Sequence, residues 1–515
     1  MGRRSRAAVA RGSFAAHTRC ALHSRHASYR EGHHVISSHC QRLSPVDALF
    51  LQLESPSAHM HVGWSAICSA PEAGPRPTIE AMRDRVAGRL SLMPRCRQRL
   101  LPASLGLTEP RWVDDPHFDL HAHVFELSDP DEEISLQRFG QLRDALLSVP
   151  LDRSRPLWQM ALAPRLTGGR LGFVGRVHHA MADGTAAFMV AALLLDTGDD
   201  EPAAPPERWR PQAAPSIAQR ALDPIVHGAE LTSRAVVDTA RAVSHPRRTA
   251  RSALRDGKRV ASVLVRDLLP LAPESALNRT LGPRRQLISF KTEISDLRAV
   301  SRSHAGTLND VGLAVVSGAL RTLALERGRT PEPLKAHIPV DVRRAHERGS
   351  LGNHVSIAMV WLPLDSTSPA ARLEHIRAQT RSFKLNSRPE GARTLLSGVS
   401  LLPTVMRGLV ARTATSRRGF NLTVSSIPGP RRAMFMLGAR LDEIYPVVPL
   451  ADEHALSIGI LAYRKHLHFG LYADPDALPD AAHLPDLLAD EVRALRPAEA
   501  AAGRAPARPR AVAAL

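Results

Sequence analysis

Between residues 197 and 215 the chain reads TGDDEPAAPPERWRPQAAP. Its prolines lack amide hydrogens and its charges resist burial, so the stretch can continue neither a helix nor a strand. A long segment with its own apolar periodicity lies on each side, which predicts two lobes joined by a connector. The 515 residues suit two or three domains, and a hydrophobic content of 44% is enough to give each a core.

The chain divides accordingly. Residues 1–40 are an Arg- and His-rich extension without periodicity, expected to be disordered. Residues 41–200 form a first lobe, 201–285 a Pro/Arg-rich, partly helical connector, 286–495 a second lobe and 496–515 a disordered tail. In the first lobe Ser44 or Pro45 opens a helix, HVGWSAIC (61–68) has strand character, and Ile79, Met82, Val86 and Leu90 keep helical spacing. A strand at 157–163, a Thr-Gly-Gly turn, the strand RLGFVGRVHH (170–179) and a helix at about 185–195 follow. The second lobe restarts with QLISFKTEI (286–294) and a helix at 310–326. Strands are then expected at 335–340, 354–364, 420–426, 441–448, 455–463 and 466–473. Strands and helices mix in both halves, so the fold class is α/β, with mixed sheets.

The strand at 170–179 runs into VHHAMADGTA (177–186). By the two-residue period Leu171, Phe173, Gly175, Val177 and His179 share one face, and His178 belongs to the other. A histidine fixed at a strand end before a tight turn is a good proton acceptor near neutrality. Asp183 can brace the turn, and Gly184 allows close passage or a positive φ. The bland alternative is a pair of ordinary strand-end histidines. Zinc is disfavoured because adjacent strand residues point apart and no HExxH is present, so no metal is expected. Nucleophilic hydrolysis lacks a GxSxG elbow. His178 and Asp183 also fit a His-x4-Asp spacing, like that of glycerol-phosphate acyltransferases, which names the other histidine as base.

A net charge of +18 invites a nucleic-acid partner, but the excess sits in the N-terminal extension and around 240–285, without interleaved aromatics. Anionic lipid or the phosphates of an acyl-CoA suit such a surface equally well, and no nucleic acid is expected. Cys20, Cys40, Cys68 and Cys96 form no CxxC pair. The opening MGRRSRAAVARGSFAAH lacks a sustained apolar stretch, and the longest apolar run, 186–195, is half a membrane span. These features predict a cytoplasmic protein, at most peripheral on the inner face of the membrane or on lipid inclusions.

HHAMADG resembles the HHxxxDG signature of the bacterial wax ester synthase/diacylglycerol acyltransferase family, within the CoA-dependent acyltransferase superfamily. Further segments resemble that family in the same order. They are LSPVDALFLQLESPSAHMHVG (43–63), the Pro156-Leu157-Trp158 element, Asn309-Asp310 at a helix head, HIPVDVRRAHERGSLGNHVS (337–356) and NLTVSSIPGP (421–430). The match spans roughly 43–200 and 280–490. Asp341 departs from a small polar residue usual there, and Ser426 from an asparagine.

The resemblance implies two chloramphenicol-acetyltransferase-like lobes with an active-site tunnel at their interface. It implies an O-acyltransferase that moves a long-chain acyl group from acyl-CoA to diacylglycerol, a long-chain alcohol or both. His179 would be the base, with His178, Asp183 and Gly184 completing the motif. Asn309, Asp310, Asn421, Thr423 and Ser425 are candidates for binding substrate or the oxyanion; helix capping and ordinary strand polarity are their competing roles. Pro156, Leu157, Trp158 and the turn Pro428-Gly429-Pro430 are expected to shape the tunnel or the core. Acyl-CoA is a substrate, and no cofactor is expected. Two rivals stand beside this: a superfamily relative with a carrier-protein donor, and a non-catalytic basic protein that binds lipid or nucleic acid. The oligomeric state is left open.

Overall fold

A computed structural model describes residues 40–72, 74–103, 108–198, 209–341, 353, 355–385, 394, 398–399, 402 and 404–496. The extension at 1–40 and the tail at 496–515 lie outside the described residues except for Cys40 and Arg496, as do 201–208 of the connector.

In the first half β1 (Cys40–Arg42) precedes α1 (Pro45–Leu53), and β2 (His61–Ser69) precedes α2 (Ile79–Arg89). The Ser44 hydroxyl caps α1 by accepting from the Asp47 amide at 3.0 Å. Short strands β3 (Gln98–Leu101), β4 (Arg111–Asp114) and β5 (Val124–Glu126) lead to α3 (Leu136–Leu147). The hairpin of β6 (Trp158–Leu166) and β7 (Arg170–His178) then delivers the chain to α4 (Gly184–Ala191). Helices α5 (Ile217–Ser244) and α6 (Pro246–Val263) make up most of the connector.

The second half contains β8 (Gln286–Glu293), α7 (Ile294–Ser303), α8 (Leu308–Glu326), β9 (Leu334–Asp341), β10 (Val355–Leu362), α9 (Pro369–Leu385) and α10 (Thr404–Ala414). It closes with β11 (Leu422–Pro428), β12 (Phe435–Met436), β13 (Ala439–Val447), β14 (Leu456–Tyr463), β15 (His466–Ala473) and α11 (Leu484–Ala494). Helix α8 is long and apolar enough to cross a membrane, yet every residue from Asp310 to Leu320 is buried in the protein. It is a core helix.

Two six-stranded sheets form the lobes, in the orders β12-β13-β2-β7-β6-β5 and β10-β9-β11-β14-β15-β8. Strand β13 corresponds to the strand expected at 441–448, which the sequence places in the second lobe. It pairs instead with β2 of the first sheet, from Arg440 opposite Ser69 to Val447 opposite Gly63. Local periodicity makes the strand, but packing between lobes chooses its partner. Elsewhere the lobes are fastened by a buried Arg407–Glu109 ion pair and by Tyr472, whose hydroxyl donates to Leu147 O at 3.0 Å.

Candidate active site

β7 ends at His178 and the chain turns at once. The amides of Met181 and Ala182 donate to His178 O at 2.9 and 3.3 Å, and Ala187 N donates to Asp183 O at 2.7 Å as α4 begins. The amide of His178 donates to Leu157 O at 2.9 Å, so the Pro-Leu-Trp element sets the height of the turn. Leu157 and Trp158 are fully buried, and the Trp158 indole donates to Cys96 O at 2.8 Å. Their part is structural.

The two histidines separate sharply. His178 is sealed, at 0% exposure. Its Nδ1 accepts from the Ala180 amide at 3.0 Å, which leaves the proton of the neutral ring on Nε2, 3.6 Å from Glu54 Oε1. Arg153 Nε holds the other Glu54 oxygen at 2.5 Å. Burial depresses the His178 pKa, with Glu54 pulling the opposite way.

His179 keeps part of its surface open. Its ring stacks on Phe50 of α1, with centroids 3.8 Å apart and planes inclined by 9°. Its amide donates to Met60 O at 2.7 Å, and its carbonyl accepts from Asn353 Nδ2 at 2.7 Å. Asn353 Nδ2 also donates to the buried Asp47 Oδ1 at 2.6 Å. Nδ1 of His179 is buried without a hydrogen-bond partner among the described residues, so Nε2 is the nitrogen a substrate can reach. Burial pushes the ring down to about 4, against the opposing pull of the Asp183 carboxylate. At neutral pH the imidazole is therefore an unprotonated base.

The second lobe meets this turn through β11. A Cβ added to Gly184 would lie 3.4 Å from Ile427 Cδ1, so the glycine keeps α4 close to that strand. Its φ is not positive, which removes the other role expected of it. Thr423 and Ser425 share the face of Ile427 by alternation. Opposite Thr423 on β9 is His337, with Nδ1 3.4 Å from Thr423 Oγ1. Burial, then the nearby His454 and His179, push His337 down to about 4. Ser426 faces the other way and donates to Asn309 Oδ1 at 2.5 Å.

The sequence profile of the wax ester synthase/diacylglycerol acyltransferase catalytic domain matches residues 43–312, and that of the WS/DGAT C-terminal domain matches 351–496. The chain belongs to this family. It is an acyltransferase. Among its relatives, the probable diacylglycerol O-acyltransferase tgs1 of Mycobacterium tuberculosis is 30% identical over 459 residues, 88% of this chain and 95% of the relative. A wax ester synthase/diacylglycerol acyltransferase from Marinobacter aquaeolei VT8 superposes with a TM-score of 0.63 at 25% identity, covering 90% of this chain and all of the other. The first condensation domain of a calcium-dependent antibiotic synthetase shares the fold, with a TM-score of 0.53 at 17% identity over 89% of this chain and 96% of its own.

Against the family's motifs, two candidates prove to be structural. Asn421 has no free amide: Oδ1 accepts from Lys335 N at 2.8 Å, and Nδ2 donates to Pro273 O and Asn278 Oδ1, each at 2.8 Å. Asp310 completes the capping box of α8, accepting from Thr307 N at 2.7 Å and from the Thr380 hydroxyl at 2.7 Å. Asn309 lies at the same helix head, bound to Ser426. In the Pro428-Gly429-Pro430 turn, a Cβ on Gly429 would fall 2.1 Å from Ala462 O, so this glycine serves close backbone packing. Phe50, Glu54, His337 and Asn353 all lie in segments that resemble the family, yet nothing in the sequence marks them as neighbours of the motif. Two surface cavities of about 610 and 470 Å³ lie apart from these residues, around Arg279, Asp476 and Ala477.

Proposed function

We propose that the protein transfers a long-chain acyl group from acyl-CoA to the hydroxyl of diacylglycerol, with a long-chain alcohol as an alternative acceptor. The observation that carries this reading is His179: neutral, stacked on Phe50 and partly open where the lobes meet. Its Nε2 takes the proton as the alcohol oxygen attacks the thioester carbonyl. When the carbon–sulfur bond breaks, the imidazolium returns that proton to the thiolate, so ester and free CoA leave a neutral ring behind. General-base help of this kind contributes about 10²–10⁴ in rate. Thr423, Ser425 and His337 lie on strands facing the motif and are the donors we assign to the developing oxyanion. The balanced reaction calls for no cofactor.

Diacylglycerol is preferred as acceptor because relatives that span nearly the whole chain carry diacylglycerol O-acyltransferase names. Both acceptor and product partition into lipid, so the enzyme would work from the cytoplasmic side at a membrane or inclusion surface. Purified protein supplied with palmitoyl-CoA and either dioleoylglycerol or hexadecanol tests the proposal. Triacylglycerol should exceed wax ester. Activity from an acyl-carrier protein alone, with no ester from palmitoyl-CoA, would overturn it.

A further inference from the structure

Helix α5 is mounted the wrong way round for a soluble protein. Its polar side faces the first lobe: Asp223 pairs with Arg42 at 2.7 Å and with Arg111, Glu230 pairs with Arg42 at 3.4 Å, and Arg220 donates to Pro102 O at 3.3 Å. Solvent receives the apolar side. Leu222, Ile225, Val226, Val236, Val237 and Val243 are between 47% and 75% exposed. At about 100° per residue these six fall within an arc of roughly 120°, along a helix about 42 Å long. A soluble surface helix buries such a stripe.

Two neighbours extend the pattern. Helix α6 carries six cations against one acid, and Arg247, Arg251, Arg255 and Lys258, three or four residues apart, are all exposed. Helix α10 exposes Met406 (52%), Leu409 (69%) and Val410 (42%), again at helical spacing. Adjacent residues join α10 to α5, since Thr108 donates to Asp223 at 3.2 Å while Glu109 pairs with Arg407. Arg412 of α10 also donates to Gln52 O at 3.4 Å, on the helix whose Phe50 covers His179. The apolar faces thus lead towards the base.

We propose that the apolar faces of α5 and α10, flanked by the cations of α6, dock the enzyme on a lipid surface bearing anionic headgroups. Helices that combine an apolar stripe with a strongly basic face lie in the headgroup plane, and each Lys or Arg near an anionic leaflet adds to the attraction. This rests on the reading that the substrates are lipids: an acceptor dissolved in that surface would enter beside α1.

The test uses the full chain and vesicles of phosphatidylcholine, with and without phosphatidylglycerol, read by flotation. Wild type should bind, more tightly when phosphatidylglycerol is present. The triple variant Ile225→Gln, Val236→Gln, Val243→Gln should lower partitioning at least about tenfold on both vesicles. The variant Arg251→Gln, Arg255→Gln, Lys258→Gln should lose the preference for phosphatidylglycerol, by on the order of 10–100-fold. Both variants should keep wild-type turnover with a short-chain acyl-CoA and a water-soluble alcohol. Variants that float like wild type overturn the docking surface, as does a dimer that the apolar variant dissociates without changing vesicle binding. Vesicle binding without ester formation from any acceptor would instead remove the acyl-transfer reading and leave the docking surface standing.

Discussion

The side-chain amide of Asn353 bridges the carbonyl oxygen of His179, at 2.7 Å, and the buried carboxylate of Asp47, at 2.6 Å. Three separate parts of the chain are thereby fixed around one imidazole: α1, the turn after β7 and a residue of the C-terminal domain. Asn353 holds the backbone carbonyl of His179, and so positions the base. Replacing Asn353 by Ala should lower kcat about tenfold or more with little change in KM, because a loosened base is lost mainly in the transition state. The Asp47 carboxylate, already raised in pKa by burial, loses a donor, so the variant should also melt earlier. Wild-type kcat in Asn353→Ala would remove the positioning role.

His178 and His179 should fail differently. His179→Ala is expected to fold like wild type and to lose about 10²–10⁴ in turnover. His178→Ala opens a sealed site and leaves the Ala180 amide without its acceptor, so it should cost about 1–3 kcal/mol of stability. Its remaining folded fraction should still turn over. Calorimetry paired with ester formation separates the two. If His178→Ala melts normally and is inactive while His179→Ala turns over, the base has been misassigned.

The motif was legible because it is local. Alternation over Leu171–His179 set the two histidines on opposite faces, and the Ala-Met-Ala-Asp-Gly turn marked where the strand would stop; the family resemblance, not the alternation, named His179 as the base. Asn353 lies 174 residues from His179, a relation no sequence window contains. His337 precedes Ile-Pro in an ordinary-looking strand, and only the pairing of β9 with β11 sets it beside Thr423. Asn421 misled for the opposite reason. A polar strand residue offers a donor on paper, but its amide is consumed by Lys335, Pro273 and Asn278. The exchange of β13 into the first sheet was invisible too, since strand propensity does not name a partner.

Acid should act on stability before it acts on the base. His179, His337 and His468 all lie at about 4, and His61 is held well below its ordinary value, chiefly through burial. An unfolded histidine takes up a proton near about 6.5. The unfolded chain therefore binds protons that the folded chain refuses, so stability is full above about 6.5 and is lost as pH falls from there towards 4. Melting temperature should be level above neutrality and drop progressively over that window. In the same buffers kcat/KM should stay flat from about pH 8 to 6.5, since His179 is already neutral. A half-loss of kcat/KM near 6.5 in protein that is still folded would contradict a partly buried, neutral base.

The last prediction concerns the opposite wall of the site. His337 and Thr423 are 3.4 Å apart on paired strands, and both lie on the face that Ile427 turns towards Gly184. A neutral imidazole has one N–H to give, and the threonine hydroxyl can accept or donate, so together they can offer a donor to a developing oxyanion. Such a donor matters only once charge has built up on the thioester oxygen, so its loss should appear in kcat and not in KM. His337→Phe keeps an aromatic ring of similar bulk beside Phe420 and should fold. Thr423→Val keeps the shape and loses the hydroxyl. Each is expected to lower kcat by about 10–10³-fold. The pair combined should cost less than the product of the two single losses, because neighbours acting on one charge are not independent. Steady-state kinetics on the two single variants and the double variant decide the matter. Unchanged kcat in both single variants would place the oxyanion donor elsewhere, with Ser425 the next residue to replace.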